Sequence, residues 1–105
     1  MDHRVRWGVL GCAGIAEKAF IPAVLASRNG VLAAVAARDP ARARAWADRF
    51  GFARAAATYA ELVADPDVDA IYNPLPNHLH APWSVRARAA GKRVRCGPPL
   101  PPATP

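Results

Sequence analysis

The sequence predicts an α/β domain built on a doubly wound parallel sheet. Three observations predict it. Short apolar runs alternate with segments of helical period along the whole chain. The run Val31 to Ala37 is apolar at every position, as a strand covered on both faces requires. The first strand pattern runs directly into a small-residue turn, Gly11-Cys12-Ala13-Gly14, that opens a helical pattern.

Each element has its own signal. Arg4 to Leu10 reads as the first strand, ending at Gly11. Residues 15–28 follow as a helix with Ala16, Ala19, Phe20, Ala23 and Val24 on one face. Pro22 should kink or divide it, and Asn29-Gly30 should stop it. Val31 to Ala37 is the second strand. Asp39 then caps a helix with Pro40 at its first position, Ala43, Trp46, Ala47 and Phe50 on its buried face, and Gly51 at its end. Residues 54–57 make a short third strand. Thr58-Tyr59-Ala60-Glu61 has capping-box spacing and starts a helix through Ala64. Asp65-Pro66-Asp67 is a turn, Val68 to Asn73 the fourth strand, and Pro74-Leu75-Pro76-Asn77 a loop. A helix from Leu79 or Ala81 to Ala90 carries Pro82 in its first turn and stops at Gly91. Lys92 to Cys96 is the fifth strand.

Right-handed crossovers give a Rossmann-like strand order 3-2-1-4-5, with a ligand crevice at the carboxyl ends of the strands. Residues 1–97 form this domain. Residues 98–105, with prolines at 98, 99, 101, 102 and 105, are expected to be an extended or disordered tail.

Composition narrows the function. The 105 residues make one domain, and 52% hydrophobic residues supply a core. No apolar run is long enough for a transmembrane helix, and the N-terminus carries no apolar leader, so a cytoplasmic protein is expected. The net charge of +6 is almost entirely arginine, with Lys18 and Lys92 the only lysines. These arginines are scattered, without aromatic interleaving, which disfavours nucleic acid as a partner. A basic nucleic-acid-binding module stays as a third alternative. Cys12 and Cys96 form neither a zinc pattern nor a disulfide framework, and a lone His78-x-His80 pair does not make a metal site.

The chemistry lies at the glycine turn. A dinucleotide needs a tight strand-to-helix turn, close backbone approach and an exposed helix N-terminus. Gly11 supplies the turn, Cys12, Ala13 and Gly14 keep the loop small, and Ile15 begins the helix. Ala13 stands where the fingerprint has its second glycine. A glycine turn in a domain that holds no cofactor is the alternative. The end of the second strand selects the cofactor. An acid there binds the ribose of NAD, but this chain has Ala37 followed by Arg38, which leaves room for a 2′-phosphate and offers a guanidinium to it. NADP(H) is favoured and NAD(H) stays open. Asp39 is read as the helix cap rather than the ribose acid, and Cys12 as a small residue rather than an activated thiol.

These segments resemble the N-terminal domain of the Gfo/Idh/MocA oxidoreductases, in the branch similar to dihydrodiol dehydrogenases. The resemblance rests on Trp7 to Ala16, Ala37 to Ala43, Asp65 to Tyr72, Gly91 to Val94 and above all Asn73-Pro74-Leu75-Pro76-Asn77-His78-Leu79-His80. It implies a nicotinamide dinucleotide as cofactor, with Leu75, Pro76, Asn77 and His80 beside its nicotinamide half. It also implies a small sugar or polyol substrate oxidised or reduced at a CH–OH carbon. The family has Glu-Lys-Pro after the cysteine of strand five, where this chain has Gly97-Pro98-Pro99. Pro98 therefore stands in place of the lysine. Measured against the family, a sixth strand and the second domain are missing, as a truncated or frameshifted reading frame would leave them. The expectation is that this chain alone does not catalyse, holds no catalytic residue, and does not oligomerise. A non-catalytic remnant with weak or no cofactor binding is the second alternative.

Overall fold

Five strands carry the domain: β1 (Val5–Leu10), β2 (Gly30–Ala36), β3 (Arg54–Ala55), β4 (Ala70–Asn73) and β5 (Arg93–Cys96). All neighbours pair in parallel, in the order β3-β2-β1-β4-β5, as the alternating pattern predicts. This computed structural model describes residues 4–96. The proline-rich segment 98–105, Pro98 and the first three residues, on which sequence expectations were placed, lie outside the described residues. Among the described residues no helix is long and apolar enough to cross a membrane.

The connections cover both faces of the sheet. A π-helical turn, Ala16–Phe20, runs straight into α1 (Ile21–Ala26), and α2 spans Pro40–Phe50. These enclose one core around Val9, Phe20, Ile21, Val35 and Trp46. On the other face α3 (Tyr59–Ala64) and α4 (Asn77–Ala89) enclose Leu10, Leu62, Val68, Ile71 and Ala87. β2 is buried from Leu32 to Ala36 because it lies between both layers.

Several boundaries move from their sequence positions, each for a local reason. The helix expected over 15–28 is divided just before Pro22. That proline has no N–H for the α ladder, and the Ile21 N–H reaches back five residues to the Ala16 carbonyl. It also stops early, because the Ser27 hydroxyl donates to the Val24 carbonyl and accepts the Gly30 N–H. β3 is two residues rather than four. β4 starts at Ala70 rather than Val68, whose N–H closes the turn on Asp65. α4 begins at Asn77, so Pro82 lies inside it rather than in its first turn. The helix starts early because the Pro76 carbonyl already accepts from the Leu79 and His80 amides. The Thr58 cap is as expected, accepting from the Glu61 amide at 3.0 Å. The returning Glu61 carboxylate binds the Ala57 amide, one residue before the usual position.

Two features hold the sheet. Gly8 is bare because a Cβ there would stand 2.9 Å from Leu62 and 3.0 Å from Val68, so the α3 layer packs directly on the β1 backbone. At the amino ends of the strands a charge network replaces apolar packing. Arg6 makes a bidentate pair with Asp69, at 3.0 and 2.9 Å, and Arg54 pairs with both Asp65 and Asp67. The Lys92 ammonium donates to the Asp65 and Val68 carbonyls. The Arg6 side chain and amide hold the Asp69 carboxyl down to about 2.

Gly8→Ala should destabilise the domain by about 1–3 kcal/mol through overpacking, measured by urea unfolding. Asp69 contributes stability that is complete above the ordinary carboxylate range and lost as pH falls from about 4 to about 2. Asp69→Asn should therefore melt below wild type at pH 7, and the two melting temperatures should converge as pH approaches 2.

Candidate functional site

The chain leaves β1 at Gly11, whose N–H donates to the Ala36 carbonyl at 2.7 Å while its φ of +94° turns the backbone away from the sheet. Only glycine takes this conformation without strain. A Cβ here would also stand 3.2 Å from Leu75 Cδ2, so the β4–α4 loop closes directly on the turn. Cys12 and Ala13 are half-buried, and Gly14 is exposed with open space where its Cβ would be. The Ala13 carbonyl accepts from the Ala16 and Glu17 amides, and Ile15 has helical angles. The amides of residues 12–15 have no protein acceptor among the described residues. Four N–H groups thus collect at the start of a helical segment, the arrangement that suits an anion.

Beside this turn, at the end of β2, Cys12, Ala37, Arg38, Asp39, Arg42 and Tyr59 line a cleft of about 210 Å³. Ala37 is buried and forms its floor, while Arg38 is exposed beside it. Asp39 is engaged as the α2 cap, its carboxylate accepting from the Ala41 amide at 3.0 Å. Arg42 donates to the Cys12 carbonyl at 3.1 Å and so joins the first turn of α2 to the glycine loop. Burial pushes the Cys12 thiol up, with the Arg42 charge only partly opposing it, so the thiol is not activated. Burial also pushes the Tyr59 hydroxyl up, against the pull of Arg38.

The remaining predicted residues stand on the β4 side of the turn. Leu75 is buried against Gly11, Pro76 is exposed and caps α4, Asn77 opens that helix, and His80 is half-buried in its first turn. Cys12, Ala37 and Arg38 share one cleft, whereas Pro76 and His80 do not line it. Sequence reasoning assigned no role to Arg42 or Tyr59. The signal for Arg42 was its place one turn after Arg38, in a helix whose capped start faces the loop. Tyr59 is brought in only by α3 crossing to the other face. A separate groove of about 310 Å³, walled by Trp7, Phe20 and Tyr72, runs along α1 and, among the described side chains, includes none of the predicted site residues. Cys12 and Cys96 are both free, with β4 lying between their strands.

The residues present fit a dinucleotide. The turn is closed to any side chain at Gly11 and open above Gly14, and two guanidinium groups line one cleft. The family model for oxidoreductases with an NAD-binding Rossmann fold matches residues 5–104. An uncharacterized oxidoreductase of Rhizobium meliloti is 49% identical over 96 residues, which is 91% of this chain and 29% of that protein. D-xylose 1-dehydrogenase (NADP(+)) 2 of Haloferax volcanii is 50% identical over 94 residues, 90% of this chain and 29% of that one. A 3-ketoreductase from Actinomadura kijaniata, solved with NADP and TDP-benzene, superposes with a TM-score of 0.87 at 42% identity. That match covers 93% of this chain and 30% of the reductase. The chain thus spans about three-tenths of the length of these relatives.

Gly11→Ala should lower stability by about 1–3 kcal/mol from the left-handed backbone alone. Amide exchange should show the loosening concentrated at the glycine turn and at Leu75.

Proposed function

The chain belongs to the Gfo/Idh/MocA oxidoreductase family, and from that premise we propose that it binds NADP(H) across the carboxyl ends of β1, β2 and β4. The observation that carries this is the pair of arginines, Arg38 and Arg42, around one cleft at the end of β2. A site for NAD(H) uses a carboxylate at that position to accept from the ribose hydroxyls. Among the described residues the only carboxylate lining this cleft, Asp39, already caps α2. Two guanidinium groups suit the 2′-phosphate instead, because each offers a planar fork of donors and a permanent charge. The NADP of the Haloferax volcanii xylose dehydrogenase's name and of the Actinomadura kijaniata reductase's structure supports the same choice. NAD(H) is the second cofactor in this reading.

The free amides of residues 12–15 would take the pyrophosphate, and Leu75, Pro76, Asn77 and His80 would stand toward the nicotinamide half. When bound, that ring supplies a hydride donor or acceptor. The substrate class is a sugar or polyol bearing a CH–OH carbon. The family lysine position holds Pro98, which has no ionisable group. The 105 residues are therefore expected to bind cofactor without turning over a sugar. A cytoplasmic setting agrees with two unpaired cysteines.

Titration of the purified chain with NADPH and NADH, followed by tryptophan fluorescence, tests the reading. Arg38→Ala and Arg42→Ala should each weaken NADPH by about tenfold or more, the loss expected for a charged hydrogen bond, and change NADH little. No saturable binding of either nucleotide would support a remnant without a working site. Equal weakening of NADPH and NADH would remove the 2′-phosphate from the two arginines.

A further inference from the structure

Asn73, the last residue of β4, has no exposed surface, and it is one of few polar side chains buried in the domain. Both ends of its carboxamide are engaged. The Oδ1 accepts from the Leu75 amide at 3.1 Å. The Nδ2 donates to the His80 carbonyl and to the buried Ser84 hydroxyl, each at 2.9 Å. The orientation is dictated by the partners, since an amide N–H must meet the oxygen and a carbonyl must meet the nitrogen.

These three bonds join the end of a strand, a loop and a helix. The loop between β4 and α4 is Pro74-Leu75-Pro76, and its two prolines have no N–H. Leu75 therefore holds the loop's single backbone donor, and Asn73 takes it. The Leu75 side chain in turn closes on Gly11. At the other end, Pro82 removes an amide from the early part of α4, so the His78 carbonyl loses its usual partner. The Asn73 bonds to His80 and Ser84 tether the helix on both sides of Pro82. An apolar residue of similar size at position 73 would fill the space and leave the Leu75 amide without an acceptor.

We infer that Asn73 is a positioning residue, whose buried carboxamide holds the Pro74–Pro76 loop and the start of α4 in register with the glycine turn for the nicotinamide half of the cofactor. It touches no reacting atom and acts through Leu75 and His80. The inference rests on the NADP(H) reading. It adds a division of labour: Arg38 and Arg42 hold the adenosine half, and the Asn73 brace shapes the wall for the other half.

The test compares two ligands on the 105-residue chain. Adenosine 2′,5′-bisphosphate carries the adenosine half and both of its phosphates but no nicotinamide; NADPH carries everything. Wild type should bind NADPH more tightly than the bisphosphate. Asn73→Ala should weaken NADPH by about tenfold and the bisphosphate by less than about twofold, narrowing that gap. Asn73→Thr, whose hydroxyl can accept from the amide two residues on, should recover part of the loss. Exchange of the Leu75 amide should speed up in Asn73→Ala while the amides of β1 and β2 keep their protection. Equal losses for both ligands, no loss for either, or unchanged exchange at Leu75 would overturn this inference and leave the NADP(H) reading standing. A wild type that binds neither ligand overturns the cofactor reading and this inference with it.

Discussion

The Gly11 amide donates to the Ala36 carbonyl in β2 while its left-handed backbone swings the chain off the sheet, and the rest of the site is arranged around that single turn. Because the turn has no side chain, Leu75 can close on it from β4. Because it ends close to the sheet, the next residues begin a helical segment with their amides uncommitted. Cys12 then lies near enough to α2 for Arg42 to reach its carbonyl. Three strands and two helices thus meet around one turn, which depends on the absence of a Cβ at Gly11.

The domain treats the two ends of its sheet differently. At the amino ends Arg6, Arg54 and Lys92 are answered by Asp65, Asp67 and Asp69 or by carbonyls, so those charges are spent on holding strands together. At the carboxyl ends Arg38 and Arg42 line an open cleft. Elsewhere Arg49 pairs with Glu17, and Arg86 lies over the Trp83 ring at 4.2 Å. These seven basic residues are therefore divided among separate local tasks. Isolated pairs of this kind contribute little each. Asp69 stands out because a fork of two side-chain bonds and the Arg6 amide act on one carboxylate.

Most of the fold was legible because its signals are local. Asp39-Pro40 and Thr58 cap helices in sequence as they do in space, and the unbroken apolar run before Arg38 announces a central strand. Boundaries were less legible where a proline intervenes. Pro22 divides its helix, as its chemistry requires. Pro82 is accommodated inside α4, whose flanks are bonded to the buried Asn73. That compensation comes from another element of the fold and leaves no local trace. The candidate site shows the same division. Gly11, Gly14 and Arg38 were readable from the strand-turn-helix pattern, whereas Arg42, Tyr59 and Asn73 enter through contacts that span 30 residues, a crossover to the other face, or a loop that folds back.

By itself the sequence determined the class of the domain, the order of its elements, the turn at Gly11 and the basic residue at the end of β2. Periodicity, capping and glycine conformation are properties of a few consecutive residues and survive in any sequence that contains them. Only the tertiary structure decided which side chains complete those features: Arg42 over the Cys12 carbonyl, Leu75 against Gly11, and the Asn73 carboxamide shared among Leu75, His80 and Ser84. A buried polar group must find its partners wherever packing brings them. The packing of the α3 and α4 layer on β1 and β4 is a property of the whole sheet.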